Sequence, residues 1–500
     1  MPGNTLLKQF VHISDTYPDH IALQDRKGQV SYAELRKRIN KASSYFRQLG
    51  VGDGDRVAMV IENSIEYVVA FYAIWKVGGV IVALNPQAKF HEIENVIHQC
   101  KAKCLLAEKL KKDDLELLKT LDINIVAISA RDFTGIGKWQ DAYDCEEDEQ
   151  WHLADESTHA QIIYTSGTTG NPKGVLLNHG NLIVNVEDIV DYLELTDKDS
   201  VLNVLPFHYC YGNSVLHTHF YVGGKVILIG SIAFTQDIVN TMRELKATGF
   251  SGVPSTYNLV LTHSDWADDP PPLRYMTQAG GPMGKRLTEL LVTSSDPNTT
   301  LFVMYGQTEA TARISWLPPE NLMHKLGSAG IPLKRVKLEI RDENNQTLEH
   351  FQKGEVYISG PSIMSGYWEN EVATQKALID GWLKTGDLGY LDDDGYIFLE
   401  GRNSDMIKVG AHRINPLEIE EVINKLEFVK ESAVIGVDDE VLGQKLRAFL
   451  VGSDSKKNLF ALKKHCHEYL PTHKIPKEIM WVTELPKTAS GKIKRFKLGS

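Results

Sequence analysis

Through the first 400 residues, short β-rich runs such as RVAMVI, VIVAL, KCLLA and INIVAIS alternate with helical patterns such as YAELRKRINKASSYFRQLG. That alternation predicts an α/β architecture with mostly parallel strands. The most apolar region, Tyr67 to Leu84, is interrupted by Lys76 and by the pair Gly78 and Gly79, so it reads as a buried helix followed by a strand and not as a membrane span. Near Tyr390 the pattern changes to GYLDDDGYIFLEGR, two alternating segments around Asp393, Asp394 and Gly395 that predict a hairpin. Beyond it lies a small α+β unit. Its first helix, NPLEIEEVINKL, has Asn415 as N-cap, Pro416 at the first helical position, and Ile419, Val422, Ile423 and Leu426 on one face. The strands SAVIGV and LRAFLV, the helix NLFALKKHCHEYL and a basic, loop-rich end follow. The expected organisation is a large domain over residues 1–400 and a small mobile one over 401–500.

A chain of 500 residues with 42% apolar composition has enough material for two or more hydrophobic cores. Its 54 basic against 65 acidic residues give a formal charge of -11, which argues against nucleic acid or an anionic membrane as the main partner. The N-terminus has neither the positive start nor the unbroken apolar core of an export signal. Cys100, Cys104, Cys145, Cys210 and Cys466 are odd in number and contain no C-x-x-C pair, which fits a reducing cytoplasm. No zinc-protease spacing occurs in HEIENVIH, and the acidic run CEEDEQ at 145–150 reads as a solvated connector.

The densest chemical signal is YTSGTTGNPKGV, Tyr164 to Val175. Glycines let a backbone approach a ligand closely, and the exposed amides and hydroxyls can donate to phosphate oxygens. Lys173 adds positive charge. The Walker A pattern does not match, because Lys173 follows a proline and precedes Gly174, so this is a phosphate loop of another kind. Further along come LPFHYCYG from Leu205, MYGQTEA from Met304, GEVYISGPSIMSGYW from Gly354, KTGD from Lys384, GRNSDMIKVGAHRINPLEIE from Gly401 and PKTASGKIKR from Pro486. In this order the motifs resemble those of the adenylate-forming enzymes, which include acyl-CoA synthetases, aryl-CoA ligases, firefly luciferase and the adenylation domains of nonribosomal peptide synthetases.

The resemblance implies a role for each motif. Thr165, Ser166, Gly167, Thr168, Thr169, Gly170 and Lys173 form the phosphate loop. Gly280 and Gly281 leave room for a flat base, Tyr305 and Gly306 border the nucleotide, and Asp387 and Arg402 hold its ribose side. Thr308 donates to the α-phosphate, and Glu309 supplies a hard oxygen ligand to Mg²⁺. Lys492 bridges carboxylate and α-phosphate during adenylation, offsetting the repulsion between two anions. Ser404 takes the hinge position, usually aspartate or lysine in the relatives, and Gly410 lines the thiol path after the small domain rotates.

Amino-acid-activating members of that family usually place aspartate where this chain has His208, so a free amino acid is disfavoured. Histidine there is similar to the acyl-CoA, aryl-CoA and luciferase branches, in which it lies near the carboxylate. Tyr209, Tyr211 and Asn213 are expected in the acid pocket. The implied reaction joins a small carboxylic acid to AMP from ATP with Mg²⁺, then passes the acyl group to coenzyme A. The alternatives are a carrier protein's phosphopantetheine arm as acceptor, or a nucleotide-binding homologue without turnover.

Overall fold

The computed structural model describes residues 4–26, 28–108, 121, 123–128, 136–151, 154–165, 172–229, 235–402, 405–409, 412–439, 443–487 and 493–499. The four β-rich runs singled out above become neighbouring parallel strands, Val80–Ala83, Arg56–Val60, Cys104–Ala107 and Asn124–Ala127. Their side chains are buried on both faces, which is why they read as continuous apolar runs. Among the described residues they belong to an eight-stranded sheet, extended on one side by His159–Thr165, parallel to Val80–Ala83, and then by Lys173–Asn178 and Gly366–Tyr367 in antiparallel pairing.

A second sheet, of nine strands among the described residues, runs parallel through Ser200–Asn203, Gly249–Gly252, Tyr275–Gln278 and Thr300–Tyr305. The helices Ile65–Lys76, His179–Leu193 and Cys210–Val222 contribute buried faces to the largest core. Two starts and one end have a local cause: the Ser64 and Asn178 side chains accept from Tyr67 and Asn181 amides, and Gly223 at φ +81° closes the third helix in a conformation glycine adopts without strain. The third sheet is antiparallel and contains the expected hairpin, Trp382–Leu391 paired with Ile397–Arg402.

Beyond residue 405 the strands Val429–Asp439 and Gly443–Gly452 pair antiparallel, and Glu478–Val482 joins the second of them in parallel. The helix Pro416–Ile423 starts as expected, with Asn415 accepting from the Leu417 amide, but it ends before Leu426. Ile419 and Ile423 are buried, whereas Val422 and Leu426 only flank the core. Clusters of buried apolar residues up to Ile397 share no member with those from Ile407 onward.

The run from Tyr67 to Leu84 is a buried helix followed by a strand, as expected, and the Lys76 side chain within it is fully buried. Nζ donates to Ser43 Oγ at 2.9 Å and to the Asp148 carbonyl, with the Asp148 carboxylate 3.7 Å away. Burial lowers its pKa to about 8, against the pull of Asp148. The acidic run at 145–150 is therefore more than a solvated connector. Through Asp148, which also accepts from Arg47 at 2.9 Å, it is tied to two helices.

Candidate functional site

The phosphate-loop residues Ser166, Gly167, Thr168, Thr169 and Gly170 lie outside the described residues, but both ends of their segment are held. Thr165 and Lys173 are partners across an antiparallel pair, with Thr165 Oγ1 donating to the Lys173 carbonyl at 3.4 Å. The neighbouring strand is Gly366–Tyr367, whose edge is fixed by Trp368 N donating to the Gly174 carbonyl at 2.7 Å.

That strand brings Tyr367 into the site. Its hydroxyl donates to Glu309 Oε1 at 2.9 Å, and its ring lies beneath Lys173 Nζ at 5.1 Å from the centroid. Burial first, and then Glu309, push the Tyr367 phenol well above its ordinary pKa, so it remains a donor. The sequence alone assigns Tyr367 no role; its place in the motif GEVYISGPSIMSGYW is the available signal.

Thr308 and Glu309 sit on a short 3₁₀ turn, Thr308–Ala310, just after the strand Thr300–Tyr305. Thr308 Oγ1 donates to Cys210 Sγ at 3.5 Å. Gly306 is required for packing: a Cβ there would lie 1.8 Å from the Ala312 carbonyl oxygen. Gly280, at φ +85°, belongs to the turn after Tyr275–Gln278, where Gln278 Nε2 donates to the Gly281 carbonyl at 2.8 Å.

At the end of the strand Thr300–Tyr305, Tyr305 donates its hydroxyl to Asp387 Oδ2 at 2.5 Å, and Arg402 Nε donates to Asp387 Oδ1 at 3.1 Å. Thus Tyr305, Asp387 and Arg402, distant in sequence, form one contiguous group. Asp387 raises the Arg402 pKa most, and the Glu309 charge adds to that effect, linking this group to the Glu309 end of the site.

His208 is 7% exposed, and its Nε2 has no hydrogen-bond partner among the described residues. Burial lowers its pKa to about 4, so at neutral pH it is an uncharged imidazole with an unused hydrogen-bonding nitrogen, suited to a polar substrate group. The loop bearing it is fixed by Asn63, which accepts from Phe207 N at 2.9 Å and donates to the Leu205 carbonyl at 2.8 Å. His217 and His219 on the following helix are also held neutral, their pKa values lowered to about 3 and about 4 chiefly by burial.

These depressed values set an acid limit on stability. The unfolded chain binds protons on all three imidazoles below about pH 6.5, while the folded chain does not. Their contribution is complete above that pH and is lost as pH falls through about 4 and about 3. Near pH 5 each should cost about 1.4 kcal/mol of stability per pH unit. Urea unfolding between pH 7 and 5 should show this slope, reduced by one proton's share in His217→Gln; an unchanged slope in the variant would contradict it.

Ser404, Gly410 and Lys492 also lie outside the described residues. The flanks of Lys492 are nonetheless anchored. Lys487 and Ile493 form an antiparallel bridge, Lys494 N donates to the Pro486 carbonyl at 2.7 Å, and Arg495 grips buried Glu420 through two bonds of 2.6 and 3.0 Å.

The donor set is consistent with magnesium and a nucleotide. No group of three or more His, Cys, Asp or Glu side chains able to hold a metal occurs among the described residues. Glu309 offers a lone carboxylate, fitting an ion that takes most of its ligands from phosphates and water.

Two family models match the chain: AMP-binding enzyme over residues 10–368 and AMP-binding enzyme C-terminal domain over residues 418–492. A 2-succinylbenzoate–CoA ligase of Geobacillus sp. (strain WCH70) is 32% identical over 486 residues, 96% of this chain and 94% of the relative. Among solved structures, the o-succinylbenzoate CoA synthetase (MenE) from Bacillus subtilis with the acyl-adenylate OSB-AMP superposes with a TM-score of 0.87 at 28% identity, covering 98% of each chain. The same enzyme with ATP and a magnesium ion gives 0.85 at 29% identity, again covering 98% of each.

Proposed function

The chain belongs to the AMP-binding enzyme family, and on that footing we propose that it is an ATP-dependent acid:CoA ligase with two half-reactions at one site. In the first, a carboxylate oxygen of the acid attacks the α-phosphorus of ATP, the bond to pyrophosphate breaks, and an acyl-AMP remains. In the second, the sulfur of coenzyme A attacks the acyl carbon, the thiol gives up its proton, and AMP leaves.

The observation carrying this reading is the joining of the two groups, Glu309–Tyr367–Lys173 and Tyr305–Asp387–Arg402, along one strand end. Lys173 and the phosphate loop receive the β- and γ-phosphates. Glu309 holds Mg²⁺, which when bound neutralises phosphate charge. Tyr305 and Arg402 fix Asp387 so that its remaining lone pairs meet the ribose hydroxyls. His208 faces the acid as a neutral group, so it meets the reacting carboxylate as a hydrogen-bond partner and not as a counter-ion. Lys492 supplies the bridging charge in the first half-reaction only. No buried apolar cluster among the described residues spans residue 400, which supports a division into domains of 1–400 and 401–500; Ser404 as hinge and Gly410 on the thiol path are carried by the motif resemblance alone.

The cytoplasm is the proposed location. It is supported by the five unpaired cysteines, and no helix among the described residues is long and apolar enough to cross a membrane.

The test is a panel of fatty, aryl and short-chain acids, beginning with 2-succinylbenzoate, incubated with ATP, Mg²⁺ and either coenzyme A or a holo carrier protein. An acyl-AMP followed by an acyl-CoA is expected. An adenylate that passes only to the carrier protein would overturn the acceptor, and absence of pyrophosphate release with every acid would overturn the reaction.

A further inference from the structure

Lys173 and Glu309 carry opposite charges within reach of one tyrosine side chain. Where water is partly excluded, an ammonium and a carboxylate at short range attract strongly. Each is nevertheless engaged by a different part of Tyr367 and not by the other. The hydroxyl donates to Glu309 Oε1 at 2.9 Å, and the ring face lies 5.1 Å from Lys173 Nζ.

Tyr367 can serve both because its backbone is fixed from two sides. Ser365 N donates to the Leu176 carbonyl at 2.9 Å and Trp368 N to the Gly174 carbonyl at 2.7 Å, which holds Tyr367 opposite Val175. Its own amide donates to Thr374 Oγ1 at 2.9 Å, and that hydroxyl donates in turn to the Asn370 carbonyl at 2.9 Å. The turn bearing Glu309 is tied to the same stretch of chain. Met364 N donates to the Glu309 carbonyl at 2.9 Å, and Thr311 Oγ1 donates to the Ser362 carbonyl at 2.6 Å. These bonds settle the two backbones but leave the Glu309 carboxylate at the end of a flexible side chain. Among the described residues, the hydrogen bond it accepts is the one from the Tyr367 hydroxyl. A carboxylate has several acceptor positions on each oxygen, so one bond at Oε1 leaves Oε2 unoccupied.

We infer that Tyr367 is a positioning residue for the metal-dependent half-reaction: its hydroxyl orients Glu309 so that the other carboxylate oxygen meets the metal, and its ring keeps the Lys173 ammonium off that carboxylate and free for phosphate. This deepens the acid:CoA ligase reading and rests on it for the reaction served. Without the ring, the lysine would neutralise the metal ligand and be lost to the nucleotide.

Tyr367→Phe, which keeps the ring alone, and Tyr367→Leu, which keeps neither part, separate the two roles. Binding is read first, without turnover, by calorimetric titration of α,β-methylene-ATP with and without Mg²⁺. In Tyr367→Phe the gain in affinity that Mg²⁺ brings should shrink about tenfold, the scale of a hydrogen bond to a charged group, while metal-free nucleotide binds as to the native enzyme. In Tyr367→Leu the metal-free affinity should also fall, by about threefold, as the ring contact to Lys173 is lost. Pyrophosphate release at low Mg²⁺ should drop in step, whereas acyl-CoA formation from synthetic acyl-AMP, which uses neither the metal nor the outer phosphates, should stay near native. In the Glu309→Gln background, Tyr367→Phe should add no further loss of the Mg²⁺ effect. A native Mg²⁺ gain in Tyr367→Phe, equal loss in both half-reactions, or full additivity with Glu309→Gln would overturn the assignment and leave the ligase reading intact. If no acid releases pyrophosphate with the native enzyme, the ligase reading fails, and the nucleotide titrations still decide the role of Tyr367.

Discussion

Replacing Lys492 with alanine should slow acyl-AMP formation by about 10²–10³-fold while leaving thioester formation from supplied acyl-AMP nearly unchanged. The reason is the timing of charge. Two anions meet only in the first half-reaction, and removing a preorganised positive group from a developing transition state typically costs that much. In the second half-reaction the acyl carbon is already activated, and the attacking sulfur needs room more than a bridging cation. The anchors around Lys492, the Lys487–Ile493 bridge and the Arg495–Glu420 fork, do not use its side chain, so the variant should fold normally. The two steps are measured separately, by pyrophosphate release and by acyl-CoA formation from synthetic acyl-AMP. Equal loss in both would remove Lys492 from its bridging role.

The second large effect is expected at Glu309. In Glu309→Gln the carboxamide oxygen can still accept the Tyr367 hydroxyl, now made at 2.9 Å, so the substitution removes a charge and little else. The loss in adenylation should reach about 10³-fold at low Mg²⁺, in keeping with the several kcal/mol a positioned metal contributes to phosphoryl-type transition states. Raising Mg²⁺ should recover part of it. A variant with native rate and native Mg²⁺ dependence would show that Glu309 serves only to hold Tyr367.

Much of the architecture was legible because it rests on local patterns. The runs RVAMVI, VIVAL, KCLLA and INIVAIS are buried on both faces of a parallel sheet, and such strands announce themselves as unbroken apolar segments. Asn415 before Pro416 announced a helix start in the same way, but the end at Ile423 depends on the turn into Val429–Asp439 and left no comparable mark.

At the site, Glu309, Asp387 and Arg402 could be named from motifs, but their arrangement could not. The bond from Tyr305 to Asp387 spans 82 positions and that from Tyr367 to Glu309 spans 58. Both are products of strand order, which no local window contains. The burial of Lys76 was invisible for a related reason. A charged residue in a sequence implies solvent, and only the packed structure reveals that this one is matched by Asp148.

The central claim is that carboxylate and nucleotide are joined oxygen to phosphorus before any thiol takes part. It can be followed atom by atom by supplying an accepted acid labelled with heavy oxygen in its carboxylate, then analysing the AMP released after complete conversion to acyl-CoA. One labelled oxygen per AMP is predicted, because the bond formed in the first half-reaction stays with phosphorus when the acyl–oxygen bond breaks in the second. Unlabelled AMP, or label recovered in inorganic phosphate, would contradict the account.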